Sequence, residues 1–421
     1  MKKIFSFFIL GSIAFSSYAN NITVSSATLS GQNTTAHSEI INFDVAWENS
    51  WRTSTNESNY DGAWLFVKFR KMGTTDWRHC TLNTTGFTAA TGGTIKVTQD
   101  GKGAFIYKSA DGIGNVSYVG NKLIWNYGVD GILDNETVEI RVFGLEMVYI
   151  PQGSYQLGSG GTENNPFTDG SSSNPYLVAN DNAISLGTTA GLLNQNSQGT
   201  STGTIPALFP KGFIPIWIMK YECSQQQYAD FLNHLDAARA LANNSPNFAG
   251  THPALVAPQP ERAVGYLGMG RTAALADWSG LRPYSEMEYE KICRGYNTPA
   301  VPNEYAWGNT TINPLTAVTT VGTATEAVSS PVNANANIAN NYGPAVRVGI
   351  FARATGSDRT LSGGTYYGVM NMSDNMYEVV VSTVNAAGKA IDQTVHGDGY
   401  LNSTGNSDIS AWTISGAYGV K

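Results

Sequence analysis

From Asn21 to about Gly144 the apolar positions fall in short runs broken by clusters of Gly, Asn, Asp and Ser. Ile40, Phe43, Val45 and Trp47 predict one strand, and Ala63 to Arg70 a second. Lys122 to Tyr127 and Val138 to Phe143 predict two more. This spacing is the rhythm of short antiparallel strands, so residues 20–144 are expected to form an all-β sandwich domain. Trp47, Trp51, Trp64 and Trp77 could form a ligand platform, but strands bury aromatic rings, and most of them are expected in the core.

The pattern changes near Leu145. Met147 to Pro151 reads as a strand ending in a turn, and Ser159 to Pro210 is rich in Gly, Asn, Ser and Thr. Phe167, Tyr176, Leu177, Leu208 and Phe209 recur through that stretch, which predicts an ordered insertion; loops of this length are usually functional or mobile. Two helices follow with explicit start signals. Ser224 to Gln227 and Ser285 to Glu288 each match a capping box, in which the serine and the residue three later satisfy each other's backbone N–H. Tyr228, Phe231, Leu232 and Leu235 continue the first at helical spacing; Tyr289, Ile292 and Cys293 continue the second, closed by Gly295. Tyr296 to Lys421 reads as short strands and loops, so residues 145–421 are expected to be α+β.

Only 14% of the 421 residues are charged, and the net charge is −7. Without a basic run, nucleic acid is not an expected partner. Lys2 and Lys3, an apolar run from Ile4 to Phe15, and Ser17 and Ala19 before a cut form an export signal at residues 1–19, too short to span a bilayer. No later stretch predicts a transmembrane segment. The expected locations are periplasm, cell surface or extracellular space. Cys80, Cys223 and Cys293 are an odd set, which leaves at least one thiol unpaired; Cys223 and Cys293 are expected as buried small hydrophobes, with a disulfide between them as the alternative.

Five blocks in order resemble the sulfatase-modifying-factor (formylglycine-generating enzyme) family. They are Met147 to Ser154, Tyr221 to Leu235, Leu281 to Gly295, Tyr305 to Asn309 and Tyr367 to Glu378. The resemblance covers residues 145–421 and implies that family's variant C-type-lectin-like fold; residues 20–144 lie outside it. It also implies structural calcium. Asn371 and Glu378 would give side-chain oxygens and Asp374 and Met376 backbone carbonyls, while Asn337 and Ile338 match the start of a second site. Calcium takes six to eight oxygens and accepts carbonyls from irregular loops.

The chain departs from the family where the chemistry sits. Family oxidases hold copper(I) on a cysteine pair near the C-terminus, and soft thiolates suit that ion. No cysteine follows Cys293, so copper is not expected here. The chain reaches Lys421 where relatives continue into a glycine-rich core strand; truncation and an early end are both open. Asp374 replaces the usual Gly, and Tyr377 and Val379 the usual Trp. The five histidines are too scattered for a three-histidine iron site. His396-Gly397-Asp398 lacks a nucleophile signature and reads as a surface loop. No catalytic residue is assigned. The expectation is an exported, non-catalytic binding or structural module whose partner is a peptide, a glycan or an envelope protein. The alternatives are a copper-dependent oxidase acting on a sulfatase cysteine and a component of an envelope secretion or gliding assembly.

Overall fold

The computed structural model describes residues 22–195, 202–296, 298–352, 358–412 and 418–421; the export signal expected at 1–19 lies outside them. Eight strands open the chain: β1 (Thr23–Asn33), β2 (Ser38–Arg52), β3 (Tyr60–Lys71), β4 (Arg78–His79), β5 (Gly93–Val97), β6 (Ala104–Lys108), β7 (Gly112–Trp125) and β8 (Val138–Ile150). With Ile216–Met219 they make one nine-stranded sheet. β2 pairs with β1 and β7, whereas β3 pairs with β8, β6 and β4. The two halves meet between β2 and β3 at a single register pair, Arg52 with Tyr60. Two bulges in β2 against β7 bend that half, because an unpaired extra residue increases local twist. The sheet therefore curls, and Ile41, Phe43, Val45 and Trp47 of β2 face Ala63, Leu65, Val67 and Phe69 of β3 across one closed core.

β3 is buried without interruption from Asp61 to Phe69. Its period of two survives in what each side chain touches. Leu65 and Val67 join the closed core, whereas Trp64 and Phe66 point the other way into a second core with Met147, Tyr228, Phe231 and Trp278. A strand buried on both faces reads as a continuous apolar run, as Ala63 to Val67 does. β8 stays in register with β3 as far as Tyr149 opposite Tyr60, then continues into Ile150. Met147 to Ile150 also pair with Ile216–Met219. The boundary expected near Leu145 thus falls inside one strand, and the two regions share a sheet.

Beyond the sheet the chain is α+β. The insertion is ordered where described. Phe167–Asp169, Ile184–Leu186, Leu193–Gln195 and Gly203–Ile205 form a small sheet with Phe167 and Phe209 buried, while Leu177 and Leu208 are exposed. Four helices follow before Gly295, α1 (Gln225–Asn233), α2 (Ala237–Asn243), α3 (Met269–Trp278) and α4 (Glu286–Arg294), and two single-turn helices, Arg359–Ser362 and Ala386–Lys389, come later. Both capping boxes form, on Ser224 and Ser285. Gly295 ends α4 at φ 82°, a left-handed backbone that glycine adopts without a Cβ penalty. Among the described residues no helix is long and apolar enough to cross a membrane.

A buried charge cluster pins the regions together. Lys220, just after the ninth strand, reaches Asp61 at 3.1 Å and Glu146 at 3.0 Å. Asp61 also accepts from Trp47 Nε1, Ser50 Oγ and the Trp51 amide. Trp64 Nε1 donates across the boundary to the Ser279 carbonyl, and buried Lys68 donates to the Gly399 carbonyl.

Candidate functional site

Between the outward face of the sheet and the α1–α3 layer lies a cavity of about 1690 Å³. β3, β6, β8 and the ninth strand supply its aromatic wall. Phe105 stacks on Trp217 at 4.3 Å, Phe66 on Phe143 at 5.1 Å, and Phe143 meets Trp278 edge-on at 5.1 Å. Leu255, Val264, Leu275 and Leu281 face them. Large apolar cavities with a few convergent polar groups are where small-molecule and chain ligands bind.

Polar groups gather along the helical side. Asp230 of α1 lines the cavity and accepts from Gln226 Nε2 at 2.9 Å; burial pushes its carboxyl up to about 6. His234 is wedged against Phe143 and Trp77 and is depressed to about 4, chiefly by burial. Gln227 spends its Oε1 on the Ser224 amide in the capping box, which leaves Nε2 without a partner. Gln393 Oε1 is likewise unpartnered, while its Nε2 donates to Asp181.

Three carboxylates stand close together, Glu222 and Glu378 on the cavity lining and Asp374 next to them. Glu222 accepts from Asn375 Nδ2 and the Met376 amide. Asp374 accepts from the Asn337 amide at 2.8 Å and from Asn371 Nδ2 at 3.2 Å. Glu378 accepts from the Tyr284 hydroxyl. Burial, and then the neighbouring acids, raise Glu222 well above the usual carboxylate range; burial raises Asp374 and Glu378 to about 7. Among the described residues none of the three pairs with a Lys or Arg at salt-bridge distance. Tyr266, Tyr377 and Tyr418 line the same opening at 85%, 83% and 49% exposure. Tyr266 sits at φ 63°, where a bulky residue stays only if its surroundings impose it.

The metal ligands expected from sequence divide in two. Asn337, Asn371 and Asp374 converge, and Asn375 ties their loops by accepting from the Val346 amide and Asn337 Nδ2. Asn371 and Asn375 take left-handed backbones at φ 61° and 69°, which asparagine tolerates. Asn337 Oδ1, in a residue 3% exposed, has no partner, and an orphaned buried acceptor beside a carboxylate fits a cation. Asn371 Oδ1, by contrast, accepts from the Gly349 amide, and the Ile338 carbonyl from the Asn341 amide. Glu378 faces Tyr284 and Met376 borders the cavity, both on the side of Glu222. Glu222 was not singled out from sequence; it lies about 150 residues from the loop it serves, and its only local signal is an acid between apolar neighbours.

Elsewhere, oxygens of Asp277, Asp398 and Asp408 lie within 4.8 Å of one another, a set that could hold a metal ion. Asp277 already accepts from the Asp398 amide, Ser407 Oγ and the Asp408 amide, so it ties the C-terminal loops to α3 as it stands. Burial first, and then its acidic neighbours, raise it to about 6. His396 beside them is exposed. Cys80, Cys223 and Cys293 are all free thiols. Burial pushes Cys223 up to about 12 and raises the other two as well, which opposes the thiolate that soft-metal and nucleophilic chemistry require. Searches with this chain return no matching family model, no matching curated protein and no matching solved structure.

Proposed function

We propose that the chain is an exported, non-catalytic binding module, built as a sulfatase-modifying-factor-like domain of the variant C-type-lectin kind on the back of a curled sheet. The observation that carries this reading is the aromatic-walled cavity, which brings apolar surface and a few convergent polar groups together. The free thiols support it over the copper oxidase, since burial holds them protonated. Calcium belongs to the same reading. Asn337 Oδ1 and the Asp374 carboxylate would hold it, with Asn371 orienting Asp374, and it would clamp the loops next to the mouth.

Two experiments test this. An uncharged apolar fluorophore such as Nile red should bind the native protein at one site, and Leu275→Trp, which puts a larger side chain on the cavity wall, should weaken that binding while the melting temperature holds. Formylglycine appearing in a cysteine peptide incubated with the copper-loaded protein would overturn the reading. Calcium should raise the melting temperature and a chelator reverse it, because a ligand bound only to the native state stabilises it; a melt indifferent to both would remove the ion from the account.

A further inference from the structure

Resting on the cavity reading, the mouth narrows the ligand. Glu222 and Glu378 line it without a cationic side chain at salt-bridge distance among the described residues. Two tyrosines, Tyr266 and Tyr377, expose more than four-fifths of their surface beside them. The two loops touch, since a Cβ on Gly265 would come within 3.1 Å of Met376 Cε. Carboxylates next to open aromatic faces are what an organic ammonium group seeks, because the ring quadrupole and the charge both attract it. Further in, Gln227 is nine-tenths buried and its Nε2 donor has no partner on the cavity wall. Its amide cannot flip to hide that donor without breaking the capping box. Past this point the corridor is Trp64, Phe105, Phe143, Trp217 and Trp278. A peptide backbone there would bury N–H and C=O groups with few partners, which is costly; a hydrocarbon body would not.

We infer that the cavity takes an amphiphile, with a long apolar body along the aromatic corridor and an ammonium head between Glu222, Glu378, Tyr266 and Tyr377. An oxygen of the head would accept from Gln227 Nε2. Beside Glu222 and Glu378 an anionic head would find no cationic side chain at pairing distance among the described residues, and a sugar head would gain no charge pairing.

Trp64, Trp217 and Trp278 line the cavity, so tryptophan emission reports occupancy directly. The full chain would be titrated with dodecylphosphocholine, dodecyl maltoside and dodecyl sulfate, each below its critical micelle concentration. The expected order is phosphocholine, then maltoside at about tenfold weaker affinity, then sulfate. Tyr377→Ala, at an exposed position that folding does not need, should cut the phosphocholine preference several-fold and leave maltoside unchanged; Glu222→Gln should do the same. Equal affinities for the three heads, or competitive displacement of phosphocholine by calcium, would overturn the inference and leave the cavity reading standing. Failure of all three amphiphiles to bind would sink the cavity reading itself.

Discussion

The two faces of β3 are built from the same run of residues and do opposite things. On one face Ala63, Leu65, Val67 and Phe69 close against β2 with side chains almost fully buried. On the other, Trp64 and Phe66 are just as deeply buried and pack on Phe105, Phe143 and Trp278, beside a cavity of about 1690 Å³. The polar groups follow the same division. Asp61 and Glu146, at the end of the closed face, share Lys220; on the cavity side Glu139 and Glu288 are paired with arginines, whereas Glu222 and Glu378 on the lining and Asp374 next to them are met among the described residues by amides and a hydroxyl. A face with its charges neutralised from within is spent on stability. Those acids on the cavity side that meet no cation among the described residues are available for binding.

The comparison breaks most readily at Lys220. Lys220→Met leaves Asp61 and Glu146 buried without their cation, and the expected loss is about 3–5 kcal/mol in urea unfolding. Adding Asp61→Asn and Glu146→Gln should recover much of it. A loss under about 1 kcal/mol would mean the cluster does not seal the closed face. Next in size are matched truncations on the two sides. Leu65→Ala, in the closed core, should cost about 2–5 kcal/mol. Leu275→Ala, on the cavity wall, should cost about 1–2 kcal/mol, because space beside it already exists. Equal costs would show the two faces to be packed alike.

The smallest effect concerns pH. Asp230 on the cavity side has its carboxyl raised to about 6 by burial, above its ordinary value of about 3.9. The folded state therefore keeps that proton longer than the unfolded chain. No penalty exists below about pH 4; it grows as pH rises and is complete above about 6. Asp230→Asn should flatten the stability curve across that window by about 1 kcal/mol, discounted for partial exposure. An unchanged curve in the variant would place Asp230 in water.

Local signals were legible where a few adjacent residues determine the outcome. Ser224 with Gln227 and Ser285 with Glu288 announced α1 and α4, since a capping box is complete within four residues. α3 gave no such sign: its N-cap is Gly268, which offers no side-chain bond. Trp47 and Trp64 proved buried, as strand aromatics usually are, with Trp51 and Trp77 partly so. The length of β8 was not legible, because its extension past Phe143 depends on pairing with β3 some eighty residues earlier and with Ile216–Met219 some seventy later. The loops carrying Asn337, Asn371 and Asp374 do meet. Glu222 was missed for the reason β8 was underestimated: what matters about it is who stands opposite, and chain order does not record that.

The shared strand also sets an order of events at birth. As the chain emerges from the ribosome, β3 has no partner on its β8 side until Val138–Ile150 follow it out. Trp64 and Phe66 then wait longer, for Tyr228, Phe231 and Trp278. For that interval a nascent strand with bare tryptophan and phenylalanine is the stickiest part of the molecule. A fragment ending at 144 would leave Trp64 and Phe66 without Tyr228, Phe231 and Trp278 permanently.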